Sequence, residues 1–362
     1  MRFALNPLAS RGERTSAEIR ITSRAAAEQA RGEIARWREY APTPVVSLPG
    51  IASELGLGRL LLKDESKRLN QGSFKALGGA YAAILRVRQL PDPKAVTLCC
   101  ATEGNHGRSV AFAAAQIGCS SVIYMHERAL EHKVKAIEAL GAKVVRTPGN
   151  YDDSVRIARA AAQSNGWLLV SDTSDPLDNT VLHVMQGYGV MVLELLEQLD
   201  AQSLPTHVFI QGGVGGLAAG LVGAFSDVLG ERRPVFVVVE PDTAGCLLES
   251  ALRFEAAKIT GDLQTRMQML AVGEASLAAW PALAHRVDAF MTVDDDAALA
   301  AVARLKLPAP QGAALDISAT GVAGFAGLLE LMRRQPAVAG KLGLDASARV
   351  LVLATEAGPP AQ

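Results

Sequence analysis

A lysine, an asparagine and a run of glycines stand at three places where an apolar segment gives way to a helix-forming one. Lys75 follows the loop Leu69-Asn70-Gln71-Gly72 and opens a helical stretch running to Arg88; an apolar strand, Arg59 to Lys63, precedes the loop. An ammonium in the first turn of a helix is repelled by the positive end of the helix dipole. Burial pushes its pKa down in the same direction. Both effects favour the neutral amine, the form that condenses with an aldehyde. Taken alone, the same residue also reads as a surface lysine at a helix start.

The second junction, Ala101-Thr102-Glu103-Gly104-Asn105-His106-Gly107-Arg108, joins the strand Val96–Cys100 to an alanine-rich helix. Asn105 can hydrogen-bond a planar oxygen substituent, or simply cap helix amides. Glu103 can carry a proton or meet a cation. His106 reads as a loop-ordering histidine, because no nucleophile is marked for it. The third junction, Gln211-Gly212-Gly213-Val214-Gly215-Gly216, sets four glycines between a strand and a helix. That makes a bed of backbone amides at a helix N-terminus, suited to a phosphate. The loop also fits a dinucleotide fingerprint, Gly213-x-Gly215-x-x-Ala218, with Glu240 ending the next strand where a ribose partner belongs. A nicotinamide-dependent dehydrogenase is therefore a rival reading, but it leaves the first two junctions unexplained. One cofactor unites all three. A phosphorylated aldehyde on a hydroxypyridine ring needs a lysine, a phosphate cup, a donor for its ring hydroxyl and a partner for its ring nitrogen. Lys75 serves the aldehyde, the loop Gly212, Gly213, Val214, Gly215, Gly216 the phosphate, Asn105 the hydroxyl, and Thr355, after the last strand, the nitrogen.

These junctions need a scaffold of alternating strands and helices. The strand candidates are Leu60–Lys63, Ala95–Ala101, Ser121–Met125, Lys143–Thr147, Trp167–Ser171, His207–Gln211, Val235–Glu240, Ala289–Val293 and Arg349–Thr355. Most are continuous apolar runs, as expected of strands buried on both faces. Helical stretches fall between them: Ser109–Ile117, His132–Leu140, Val155–Ser164, Val184–Leu199 and Gly216–Val228. The pattern is α/β with parallel sheets flanked by helices, and so many strands imply two sheets. One polar, arginine-rich helix is expected over Thr15 to Tyr40, ended by Pro42 and Pro44. At 362 residues the length suggests about two domains. A hydrophobic content of 49%, a charged content of 20% and a net charge of −1 fit a globular chain with no nucleic-acid footprint. No apolar run approaches the ~20 residues that span a bilayer, and no secretory pattern follows Arg2. Cys99, Cys100, Cys119 and Cys246 lack metal spacing and read as free core thiols of a cytoplasmic protein.

Ser73-Phe74-Lys75, Glu103-Gly104-Asn105-His106-Gly107 and Gly212-Gly213-Val214-Gly215-Gly216 together resemble the fold type II pyridoxal-phosphate enzymes, the group related to the tryptophan synthase β subunit. Within it the chain is most similar to diaminopropionate ammonia-lyases. Further strings carry that likeness: Tyr40-Ala41-Pro42-Thr43-Pro44, Lys63-Asp64-Glu65-Ser66-Lys67-Arg68, Met185-Gln186-Gly187-Tyr188-Gly189, Val272-Gly273-Glu274 and Thr355-Glu356. The resemblance implies a large cofactor-binding domain from residues 1–94 and 191–362, a small mobile domain from 95–190, and a homodimer. It implies that Lys75 is the Schiff-base lysine of pyridoxal 5'-phosphate, that Asn105 meets the ring hydroxyl, and that Asp172 binds substrate. Asp172 otherwise caps the segment that follows it. Glu103 stands where these lyases usually carry aspartate, and Asp316-Ile317-Ser318-Ala319 where Glu-Ser-Gly-Ala is expected.

The expected reaction is β-elimination of 2,3-diaminopropionate to pyruvate and ammonia. Lys75, or Glu103 on the opposite face, removes the α-proton. A neutral Thr355 hydroxyl leaves the ring nitrogen unprotonated, which suits elimination over transamination. Glu103 and Asp172 suit a substrate with a second ammonium. Dehydration of a β-hydroxy amino acid (serine, threonine, 3-hydroxyaspartate or phenylserine type) is the alternative. A non-catalytic amino-acid sensor is disfavoured by the retained lysine and asparagine.

Overall fold

The computed structural model describes residues 1–102, 104–170, 179–307 and 314–359, except for the side chains of residues 151 and 152. It opens with a short strand, β1 (Phe3–Leu5), and two helices, α1 (Ser16–Ile21) and α2 (Arg24–Ile34). The single helix expected over Thr15 to Tyr40 is therefore two. Thr15 starts the first through a reciprocal cap with Glu18, Thr22 leaves it in an extended conformation, and Ser23 caps the second. Two helix-start signals so close together break the run. After Pro44 come β2 (Val45–Ser47), α3 (Pro49–Glu54), β3 (Arg59–Asp64) and a tight 3-10 segment, Glu65–Asn70, that leads to α4 (Lys75–Arg88).

The next stretch alternates β4 (Thr97–Ala101), α5 (Asn105–Ile117), β5 (Ser120–His126), α6 (Glu131–Glu138), β6 (Lys143–Thr147), α7 (Tyr151–Asn165) and β7 (Leu168–Leu169). The expected helix Val184–Leu199 divides at Gly189 into α8 (Thr180–Tyr188) and α9 (Val190–Gln198). The chain continues through β8 (His207–Gln211), α10 (Gly216–Leu229), β9 (Val235–Pro241), α11 (Cys246–Arg253), α12 (Trp280–Arg286), β10 (Ala289–Val293), α13 (Asp295–Lys306), α14 (Ala323–Arg334), α15 (Pro336–Lys341) and β11 (Arg349–Ala354).

Among the described residues these strands form two sheets. The larger has the order β1-β10-β9-β8-β11-β3-β2, parallel through its five central strands and antiparallel at both edges. The smaller is parallel throughout, in the order β6-β5-β4-β7. All nine expected strands are present, and the short edge strands β1 and β2 are additional. Side chains of the large sheet alternate between two cores. Leu61, Ile210, Val238, Phe290 and Leu351 pack toward α4, α8 and α10, whereas Leu62, Phe209, Val237, Met291 and Val352 pack toward α13 and α14. Burial on both faces explains the unbroken apolar runs.

Where β3 leaves the core it carries charge inward. Lys63 Nζ meets Glu194 Oε2 on α9 at 2.8 Å, Thr43 O at 2.8 Å and Gln198 Oε1 at 2.9 Å. Arg68 reaches Glu65 at 2.7 Å and Glu194 at 2.6 Å, and all four charged side chains are fully buried. Burial alone would raise the Glu194 carboxyl, but the bonds from Arg68 and Lys63 outweigh it and hold Glu194 below the usual carboxylate range. Removing one partner of such a set leaves an uncompensated buried charge. Glu194→Ala should therefore lower unfolding free energy by about 3–5 kcal/mol, read from urea denaturation. A loss near zero would show that water or rearrangement replaces the carboxylate.

Candidate active site

The carboxyl ends of β3, β4, β8 and β11 open on one cleft of about 580 Å³, lined among others by Lys75, Asn105, Gly212–Gly216, Thr355 and Glu356. That is where ligands bind in parallel α/β sheets. The three junctions singled out by spacing thus meet in one place. Lys75 is the first residue of α4 and half-buried, with its Nζ 5.9 Å from the Phe74 ring centroid. The loop before it is tightly wound: Leu69 (φ 50°), Asn70 (φ 57°) and Gly72 (φ 72°) all lie in the left-handed region. Non-glycine residues hold that conformation only when their surroundings impose it. Here the buried Arg68 and the bridge between Ser73 and Glu356 supply the constraint.

The glycine loop is a cradle for an anion. Gly213 (φ 111°) and Gly215 (φ 99°) occupy backbone conformations that a side chain would strain, and a Cβ on Gly215 would lie 2.6 Å from Leu283 Cδ1. The Gly212 amide donates to Val239 O at 2.7 Å, so Gly212 contributes close approach rather than a donor. The amides of Gly213 to Gly216 follow at the N-terminus of α10, where the helix dipole favours negative charge. Thr355 is buried and joined through its backbone to Gly321 O and Phe74 N.

Asn105 is the first residue of α5, and its Nδ2 donates to Glu356 Oε1 at 2.6 Å. His106 is buried with its ring nitrogen 3.0 Å from Val170 O, an ordering contact as its sequence context suggested. Glu103 and Asp172 lie outside the described residues. A lysine for an aldehyde, a cup of amides for a phosphate, an amide for a hydroxyl and a threonine within one cleft match the donor set that pyridoxal phosphate requires.

Two residues carry more than the sequence reading gave them. Glu356 faces the cleft and joins Asn105 to Ser318, whose Oγ donates to Glu356 Oε2 at 2.6 Å. Its signal was a carboxylate just past the end of a strand whose neighbour was already a candidate. Glu240, the ribose partner of the dehydrogenase reading, is fully buried instead. Its two carboxyl oxygens accept from the amides of Leu247 and Leu248 at 2.8 Å, capping α11. That removes the acidic residue the nicotinamide fingerprint needs.

A family model described as "Pyridoxal-phosphate dependent enzyme" matches residues 37–356. The chain is 36% identical to the diaminopropionate ammonia-lyase of Salmonella typhimurium, over 88% of this chain and 85% of that protein. The crystal structure of Escherichia coli diaminopropionate ammonia-lyase in complex with an aminoacrylate-PLP azomethine reaction intermediate superimposes with a TM-score of 0.88 at 33% identity. It covers 98% of this chain and 93% of that one. The same enzyme in complex with D-serine gives a TM-score of 0.87 at 32% identity, with the same coverage.

Burial pushes the Glu240 carboxyl up to about 8 from its ordinary 4.5, against the lowering effect of the Leu247 and Leu248 amides. Between those two values the folded chain holds the extra proton, so stability is fully present below the lower value and falls as pH rises through the upper one. Thermal or urea unfolding followed from pH 5 to 9 should show a decline of up to about 1.4 kcal/mol per pH unit from this group. Glu240→Gln should flatten that slope, even if it lowers stability at every pH by leaving one α11 amide without its acceptor. An unchanged slope would show that Glu240 is already ionised in the fold.

Proposed function

The chain belongs to the pyridoxal-phosphate dependent enzyme family, and from that premise we propose that it is an ammonia-lyase converting 2,3-diaminopropionate to pyruvate and ammonia. One observation carries the reading: Lys75 in the first turn of α4 and the Gly213–Gly216 amides at the head of α10 line the same cleft. Relatives that share about a third of their residues with it along most of the chain bear the diaminopropionate ammonia-lyase name.

When bound, pyridoxal phosphate supplies an electron sink for charge developing at the substrate α-carbon. The residues of the chain do the rest. Lys75 would hold the cofactor's aldehyde, and its amine is the base that would take the substrate α-proton. Gly213, Val214, Gly215 and Gly216 hold the phosphate, with Gly212 allowing the close approach. Asn105 would donate to the ring hydroxyl. Thr355 would serve the ring nitrogen, where a neutral hydroxyl brings no charge to hold a proton. Glu103 and Asp172 draw in the second ammonium of the substrate, and Glu103 handles the proton on the opposite face. In this reading residues 1–94 and 191–362 form the large cofactor-binding unit and 95–190 a small mobile one. The strands of the four-stranded sheet all fall within the latter span. The enzyme acts in the cytoplasm as a homodimer, a setting in which Cys99, Cys100, Cys119 and Cys246, none of them in a disulfide, stay reduced.

The purified protein should be yellow, with a visible cofactor band that Lys75→Ala abolishes together with at least about 10²–10⁴-fold of its turnover. Keto acid release should be compared for L- and D-2,3-diaminopropionate, serine, threonine and 3-hydroxyaspartate. The diaminopropionates should lead in kcat/KM. A hydroxy amino acid in first place would make the protein a dehydratase.

A further inference from the structure

Glu356 divides its carboxylate between two parts of the molecule. Oε1 accepts from Asn105 Nδ2 at 2.6 Å, at the head of the helix that follows the first strand of the four-stranded sheet in sequence. Oε2 accepts from Ser318 Oγ at 2.6 Å, in the segment that precedes α14. The backbone of Glu356 is pinned as well: it bridges Ser73, two residues before Lys75, and its carbonyl accepts from Ser318 N at 3.1 Å. Arg108, one turn along α5 from Asn105, adds a charge. Burial lowers its guanidinium and the Glu356 charge opposes that. Through its carboxylate Glu356 ties the start of α5 to Ser318, and through its backbone it meets the approach to Lys75.

An asparagine amide has two N–H donors. With one held by a carboxylate, the plane of the amide is fixed, and the second N–H stays oriented rather than averaged over rotamers. We propose that Glu356 is a positioning residue of the cofactor site: it fixes the Asn105 amide so that its remaining N–H serves the ring hydroxyl of pyridoxal phosphate. The inference rests on the cofactor reading above and not on the choice of amino-acid substrate.

The test titrates the apoprotein with pyridoxal phosphate and reads its Kd from the visible band and from intrinsic fluorescence, beside thermal melts of the apo forms. Hydrogen bonds to a charged group are worth enough that Glu356→Ala should weaken cofactor binding by about 10-fold or more. Glu356→Gln keeps an acceptor for Asn105 and a donor for Ser318, and should stay within about 3-fold of the unmodified protein. Ser318→Ala cuts only the outer arm and should fall between the two. Because Glu356 acts through Asn105, the Asn105→Ala/Glu356→Ala double variant should bind no worse than Asn105→Ala alone, within about 2-fold. Additive losses in the double variant, or a Glu356→Ala protein with undiminished affinity, would overturn the proposal. An unmodified protein that develops no visible band would overturn the cofactor reading and this inference with it, whereas a normal band there isolates the fault to Glu356.

Discussion

Four charges without water hold the approach to the site in place. Lys63 and Arg68 face Glu65 and Glu194 in full burial, so each depends on the others for solvation. Three of the four lie within six residues of one another, and the fourth comes from α9, more than a hundred residues away in sequence. The cluster also takes Thr43, which bonds Lys63 through its carbonyl and Glu65 through its hydroxyl. It thereby fixes the path from the end of β3 through the left-handed turn at Leu69 and Asn70 to the first turn of α4. The lysine that starts that helix inherits its position from charges it does not touch.

The helices around the cleft approach one another more closely than side chains usually allow. A Cβ on Gly187 would lie 2.0 Å from Leu77 O, so α8 and α4 pack backbone to backbone. That contact stands directly behind the cleft, beside Tyr188, whose ring lies 4.8 Å from that of Phe74. The wall behind Lys75 is thus rigid packing, and α5 abuts the same helix closely: a Cβ on Gly79 would lie 2.1 Å from Ser109 Oγ. The carboxylate of Glu356 ties the start of α5 to Ser318.

Much of this was legible in the sequence because the physics that builds a parallel sheet writes itself locally. Strands buried on both faces read as continuous apolar runs, so His207–Gln211 and Ala289–Val293 have the bounds expected of them. β1 and β2 were illegible because three residues carry no pattern. Helices α11 to α15 have no counterpart among the expected elements, although Asp294 ahead of two further aspartates is a plain helix start at α13. The same holds for the site. Lys75, Asn105 and the glycine loop were found because each stands at a strand-to-helix junction. Glu356 stands out in the sequence only within the string Thr355-Glu356, because the partners that give it a role lie 251 and 38 residues away. Glu240 was misplaced by pattern alone. A carboxylate after a strand looks the same whether it faces a ribose or caps the next helix, and only its burial separates the two.

The short flanking strands of the large sheet bear on how the molecule meets others of its kind. A sheet grows by offering a row of unpaired amides and carbonyls, and growth is hard to stop once begun. Here the outermost strands, Phe3–Leu5 and Val45–Ser47, run against their neighbours and stop after three residues, the second between Pro44 and Pro49. Proline has no amide hydrogen to offer a further strand. Each end of the large sheet is thus a frayed hem with little backbone for a second chain to stitch onto, and an assembly of copies has side chains on its helical faces to work with.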